Sequence, residues 1–148
     1  MPSFSNPIQA PCNCLALRQA TRRVTQFYDH ALAPSGLLTT QFSLLALLRR
    51  LQPVSQGVLA AHLVMDRATL GHNLRPLQQA GLVQIGPGTD RRQRILRLTP
   101  AGSARYQACM PLWQAAQARF DAQFGADAAA DLRHVLARVA AQDFTASA

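Results

Sequence analysis

Residues 58–102 read VLAAHLVMDRATLGHNLRPLQQAGLVQIGPGTDRRQRILRLTPAG, and the order of patterns in this stretch decides the fold. Val58, Leu59 and Leu63 make a short apolar stripe at helical spacing. Val64-Met65-Asp66 then reads as a turn, with Asp66 placed to accept a hydrogen bond from the backbone N–H groups that open a second helix at Arg67. In that helix Leu70, Leu74 and Leu77 recur at i, i+4 and i+7, which on a helical period is one inward stripe. Arg67 stands in the first turn, and Ala68, Thr69, His72 and Arg75 fall on the side opposite the leucines. Such a face suits a major groove, where arginine bonds guanine bidentately and a small methyl touches thymine.

Pro76 removes one backbone hydrogen bond and presses on the carbonyl of His72, which predicts a kink or tightened turn there, not a helix end. Gly81 suits the residue after the helix. Leu82 to Ile85 then reads as a short strand ending at Gly86-Pro87-Gly88, and Arg94 to Leu98 as its return. The connecting tip holds Thr89, Asp90, Arg91, Arg92, Gln93 and Arg94. An isolated cluster of this size reads as a solvated turn. Following a helix-turn-helix, it reads as a wing whose guanidinium groups contact phosphate or enter a narrow minor groove. Asp90 is expected to pair with a neighbouring arginine and fix its rotamer. The whole is a winged helix-turn-helix, mainly α with a small β-hairpin.

Leu59-Ala60-Ala61-His62-Leu63, Asp66-Arg67-Ala68-Thr69-Leu70, Leu74, Leu77, Gly81-Leu82-Val83, Asp90-Arg91-Arg92 and Leu98-Thr99-Pro100-Ala101-Gly102 together resemble the MarR family of bacterial transcriptional regulators. The likeness extends to helices on both sides. It implies a triangular homodimer with two winged lobes, usually a repressor that leaves a palindromic operator in double-stranded DNA when a small-molecule effector or an oxidant acts.

Composition agrees. A chain of 148 residues, 49% hydrophobic, fits one domain with a real core and not a disordered segment. All 15 basic residues are arginine and all 7 acids aspartate, giving net charge +8, a balance that calls for a polyanionic partner. We read the lack of lysine and glutamate as codon bias. No apolar run approaches the roughly 18 residues needed to span a bilayer, and Met1 to Pro11 lacks the pattern of a signal peptide. The expectation is a cytoplasmic protein without a membrane partner, its three cysteines free thiols and its first eleven residues a flexible arm.

The flanking segments supply the remaining helices. From Cys12 to Ala33, Leu17, Ala20, Val24, Phe27 and Ala31 recur at helical spacing up to Pro34-Ser35-Gly36. Thr39 or Thr40 can cap the next helix, which runs through Phe42, Leu45, Leu48 and Leu51 to a stop at Pro53. Thr99 caps and Pro100 opens a long helix that Pro111 should bend and Gly125 should break, and Leu132, Val135, Leu136 and Val139 mark a last amphipathic helix. Residues 12–34 and 100–143 therefore form the expected dimerisation helices around a winged lobe at 38–99 in a single domain. Their apolar surface exceeds what one small lobe needs to cover.

Two sensing modes are open. Cys14 with Leu15-Ala16-Leu17, Tyr28, Gly36-Leu37 and Gln41-Phe42 resembles the register of the peroxide-sensing cysteine in the OhrR branch of the family, although Arg18 stands where that branch carries a second tyrosine. Arg18 and the helix N-terminus favour a thiolate at Cys14, and Cys12 or Cys109 could resolve its sulfenic acid. The other mode is an aromatic or apolar acid bound near Arg22, Tyr28, His30 or Trp113. No phosphate loop, zincin motif or nucleophile elbow is present, so an enzyme is not expected. Cys12 and Cys14 have no second paired cluster, which argues against a metal, and no cofactor is implied. The alternative to a sequence-specific regulator is a module that uses the same fold on nucleic acid or protein without reading sequence.

Overall fold

Leu70, Leu74 and Leu77 all point inward in the computed structural model, 0%, 1% and 1% exposed, as their spacing predicts. The structure describes residues 12–146, so the arm expected over Met1 to Pro11 lies outside it. Within these residues the order is α1 (Asn13–Leu32), a 3-10 turn (Ala33–Ser35), α2 (Thr39–Leu51), β1 (Val54–Ser55), α3 (Gln56–His62), α4 (Arg67–Gln79), β2 (Val83–Pro87), β3 (Arg94–Leu98), α5 (Pro100–Phe124) and α6 (Ala126–Ala141). The expected architecture, helices with a small wing, is the one observed.

One core lies beneath the lobe. Leu45 and Leu48 of α2, Leu59 of α3, the three α4 leucines, Leu82, Val83 and Leu96 of the sheet region and Cys109 of α5 are all buried in it. The sheet is antiparallel with strand order β1-β3-β2. β2 and β3 stay in register from Val83 opposite Leu98 to Pro87 opposite Arg94, so β2 continues through Gly86 and Pro87 where the sequence suggested a stop. β1 is an addition to the sequence reading: Val54 pairs with Leu96 and Ser55 with Ile95. Nearby, the Gln52 side-chain carbonyl accepts the Leu98 N–H at 2.8 Å and ties the end of α2 to the base of the wing.

Helix ends follow local chemistry, with one correction. Neither Thr39 nor Thr40 caps α2. Leu38 holds that position; the Thr39 N–H instead donates to Asp29 of α1 at 2.7 Å, and Gln41 reaches back to accept the Leu38 N–H at 3.0 Å. Thr99 does cap α5: its hydroxyl accepts the Gly102 N–H at 3.0 Å and donates to the Gly81 carbonyl at 2.6 Å, which joins the end of α4, the foot of the wing and the start of α5. α4 runs unbroken through Pro76 and α5 through Pro111. Gly36 and Gly125 take positive φ, at 73° and 97°, where the chain turns out of helix.

The flanking helices are covered only in part. α1 packs on α5, with Phe27 against Phe120 and Tyr28 bonded to Gln117, while residues 12–23 are exposed along their whole length. On α6, Ala129 is buried, yet Val135, Leu136 and Val139 stand exposed, as do Leu15, Leu17 and Phe124. Among the described residues no single helix is long and apolar enough to cross a membrane.

Candidate nucleic-acid interface

The turn between α3 and α4 is built from backbone bonds and one carboxylate. Val64 N–H donates to the Ala61 carbonyl at 3.2 Å and Met65 N–H to the Ala60 carbonyl at 3.0 Å, the paired bonds that close a helix through a left-handed residue. Val64 is that residue, with φ 54°. Asp66 then caps α4: one oxygen accepts the Thr69 N–H at 2.7 Å and the other its hydroxyl at 2.8 Å. These bonds, the backbone one foremost, hold the Asp66 carboxyl below its ordinary range. Because the Thr69 hydroxyl spends its proton on Asp66, its methyl and an acceptor lone pair are what it can offer outward.

With the leucines inward, Ala68, Thr69, His72 and Arg75 are exposed on the opposite side of α4, and Arg67 is exposed in its first turn. Gly81, at φ 72°, ends the helix with the same paired bonds, Gly81 N–H to Gln78 and Leu82 N–H to Leu77 at 3.0 and 2.9 Å, and sends the chain directly into β2. The base of the wing is thereby tied to the last turn of α4.

At the wing tip Arg91, Arg92 and Arg94 are exposed. Asp90 does not pair with any of them, contrary to the sequence expectation. Its side chain accepts the Arg92 N–H at 3.1 Å and its carbonyl the Gln93 N–H at 2.9 Å. The carboxylate thus shapes the loop through the backbone and leaves the guanidinium groups free of it; among the described residues the sole ion pair is Arg133 with Asp121, at 3.8 Å.

Arg67 is placed differently from its α4 neighbours. Its guanidinium lies over Gly57, where a Cβ would come within 2.9 Å of Nη2, and its carbonyl accepts from the Gln56 side chain at 3.1 Å. It faces an open cleft of about 250 Å³ whose other walls are Ser55, Arg92, Gln93 and Arg94. Sequence reasoning placed Arg67 with the helix and missed Ser55 and Gln56 altogether, since a tertiary approach between α3 and the wing leaves no periodic trace.

The residues expected to sense a signal are spread along α1 and α5. Cys12 caps α1, its sulfur accepting the Leu15 N–H at 3.4 Å, and both Cys12 and Cys14 are exposed. Cys109 is buried in the lobe core, away from that surface. Arg22 and His30 are exposed. Tyr28 donates its hydroxyl to Gln117 and packs edge-on against Phe27. Burial, and then the nearby Asp121, push its phenol above the ordinary tyrosine range against the opposing pull of Arg133. Trp113 packs on Phe42, which itself stacks on Tyr106. Gln117, Asp121 and Arg133 had no signal in the sequence; each is a polar residue on a helix whose apolar spacing carried the reading.

A buried leucine stripe, an outward polar face, and an arginine hairpin docked at the end of the same helix define a winged helix-turn-helix protein. A family model described as the MarR family matches residues 35–93. The chain is 37% identical to the M. tuberculosis transcriptional regulator MosR, solved in complex with DNA, over 87% of this chain and 93% of that one, with a TM-score of 0.80. It therefore belongs to the MarR family of transcriptional regulators, as the motifs implied, and not to a family of enzymes. It is also 28% identical over 91 residues to the uncharacterized HTH-type transcriptional regulator YwoH of Bacillus subtilis, and 34% identical over 96 residues to the HTH-type transcriptional repressor NicR of Pseudomonas putida. These stretches are 62% and 64% of this chain, and span 66% and 61% of those relatives, under two thirds of each.

Proposed function

We propose that the protein is a homodimeric transcriptional regulator that binds a palindromic operator in double-stranded DNA, represses there, and is released by an effector. The observation that carries this reading is the shared exposure of the α4 face, with His72 and Arg75, and of the wing arginines. A helix of this kind fits a major groove while the wing follows the adjoining backbone. Net charge +8 adds the sequence-independent attraction. MosR, over nine-tenths of whose length the likeness extends, has been solved on DNA, and NicR is named a repressor.

Two-fold pairing is supported by the uncovered apolar residues of α1 and α6, the helices that flank the lobe on either side. Cytoplasmic location goes with that role. For release, exposed Cys14 at the start of α1 is the candidate for a thiol route, and the half-buried aromatic Tyr28 and Trp113 are the candidates for a small-ligand route. Peroxide titration of operator binding in the native chain and in Cys14→Ser separates them: release that persists in the serine variant removes the thiol route.

Footprinting on the DNA that flanks its own gene tests the regulator reading. A protected inverted repeat is expected. Diffuse, salt-sensitive retention without a protected site would instead mark a module that binds nucleic acid without reading sequence.

A further inference from the structure

Arg67, in the first turn of α4, reaches toward the start of α3. Its guanidinium lies over Gly57, and it shares the walls of one open cleft with Arg92 and Arg94 from the wing and with Ser55 and Gln56 from the start of α3. Three arginines therefore line a space of about 250 Å³, and no acidic residue lines it with them. No acid within ion-pairing distance neutralises any of them, since among the described residues the ion pair present lies far along the chain, between Asp121 and Arg133. Planar forks of this kind match the oxygens of a phosphodiester. Ser55 accepts the Val58 N–H at 3.2 Å through its side-chain oxygen, which leaves its hydroxyl proton free to donate outward.

We infer that Arg67 joins Arg92 and Arg94 in a clamp on one backbone phosphate between α3 and the wing, and takes no part in reading bases. The inference rests on the duplex-binding reading above and divides the labour within it. Bases fall to His72, Arg75 and Thr69, further along the exposed side of α4; register on the backbone falls to the cleft. Gly57 becomes part of the device. The three atoms nearest a methyl there all belong to the far end of the Arg67 side chain, at 2.9 to 3.4 Å, so it would displace the guanidinium at small cost to the fold.

The test is equilibrium binding of native chain, Arg67→Ala, Gly57→Ala and the double variant to a fluorescent duplex carrying the footprinted repeat, and to single-base variants of it, over a range of salt. Arg67→Ala should weaken binding about tenfold on every duplex alike and lower the slope against log salt by about one. Gly57→Ala should show a smaller loss of the same kind, and none when added to Arg67→Ala. A loss confined to one base-pair position would make Arg67 a base reader and overturn the clamp, and so would an unchanged salt slope with the duplex still bound. If the native chain itself shows no salt-sensitive duplex binding, the regulator reading falls and the clamp with it.

Discussion

Gly102 and Leu82 touch so closely that a Cβ on Gly102 would stand 2.0 Å from the Leu82 carbonyl oxygen. The start of α5 is thereby pressed onto the residue that leads into β2, and the Thr99 N–H adds a bond to the same carbonyl at 3.2 Å. Because the obstacle is backbone, no rotamer change relieves it. Gly102→Ala should therefore destabilise the protein by about 3 kcal/mol, at the upper end of overpacking costs. Urea unfolding measures it, and an unchanged midpoint would show that α5 can move off the wing freely.

The turn of the helix-turn-helix stores strain that can be removed. Val64 sits at φ 54°, a region that a β-branched side chain rarely adopts, and at 72% exposure its side chain contributes little packing. Val64→Asn should raise stability by about 1 kcal/mol, since asparagine tolerates the left-handed region. A fall in the urea midpoint would mean that the valine is held there by contacts its exposure does not reveal.

Acid should loosen the start of α4 first. The Asp66 carboxyl is held below its ordinary range by the Thr69 bonds, so the native state favours its ionised form. Its contribution is full above the unfolded-state pKa, near 4, and is lost as pH falls through the lower folded value. Asp66→Asn keeps an acceptor for capping but has no proton to gain. The stability difference between the two proteins should therefore shrink on going from neutral pH to below the ordinary aspartate range, followed by urea midpoints. A pH-independent difference would remove the electrostatic part of the cap.

Most of the lobe was legible in the sequence because its signals are local. The α4 leucines repeat on one period, Asp66 and Thr99 stand at the helix starts they cap, and Gly81 occupies the left-handed position that closes α4. What escaped notice is held by partners remote in the chain. Two-residue β1 is too short for alternation and exists through its pairing with Leu96 and Ile95. The start of α2 draws on Asp29, ten residues earlier, so the nearby threonines misled. At Asp90 charge proximity suggests an ion pair, while loop geometry offers the carboxylate a backbone N–H first. Arg67 could be assigned to a helix face but not to a cleft, since Gly57 and the wing meet it only in three dimensions.

The flanking helices give a prediction on assembly. Leu136 is exposed on α6 together with Val135 and Val139, so a charge there would cost the isolated fold little. Leu136→Arg should leave the circular dichroism spectrum intact while shifting sedimentation from dimer to monomer, and should lower operator affinity at least tenfold by uncoupling the two half-sites. A variant that still sediments as a dimer would place the two-fold contact elsewhere.

On the proposed function, α4 reads bases while the wing grips the backbone of the same duplex. Binding of native chain, His72→Ala, Arg75→Ala and Arg92→Ala to a panel of single-base operator variants tests it directly. Loss of His72 or Arg75 should relax preference at particular base pairs, each worth about 1–3 kcal/mol of discrimination. Loss of Arg92 should weaken every duplex alike and flatten the salt dependence. Indistinguishable losses for all three variants across the panel would contradict the claim.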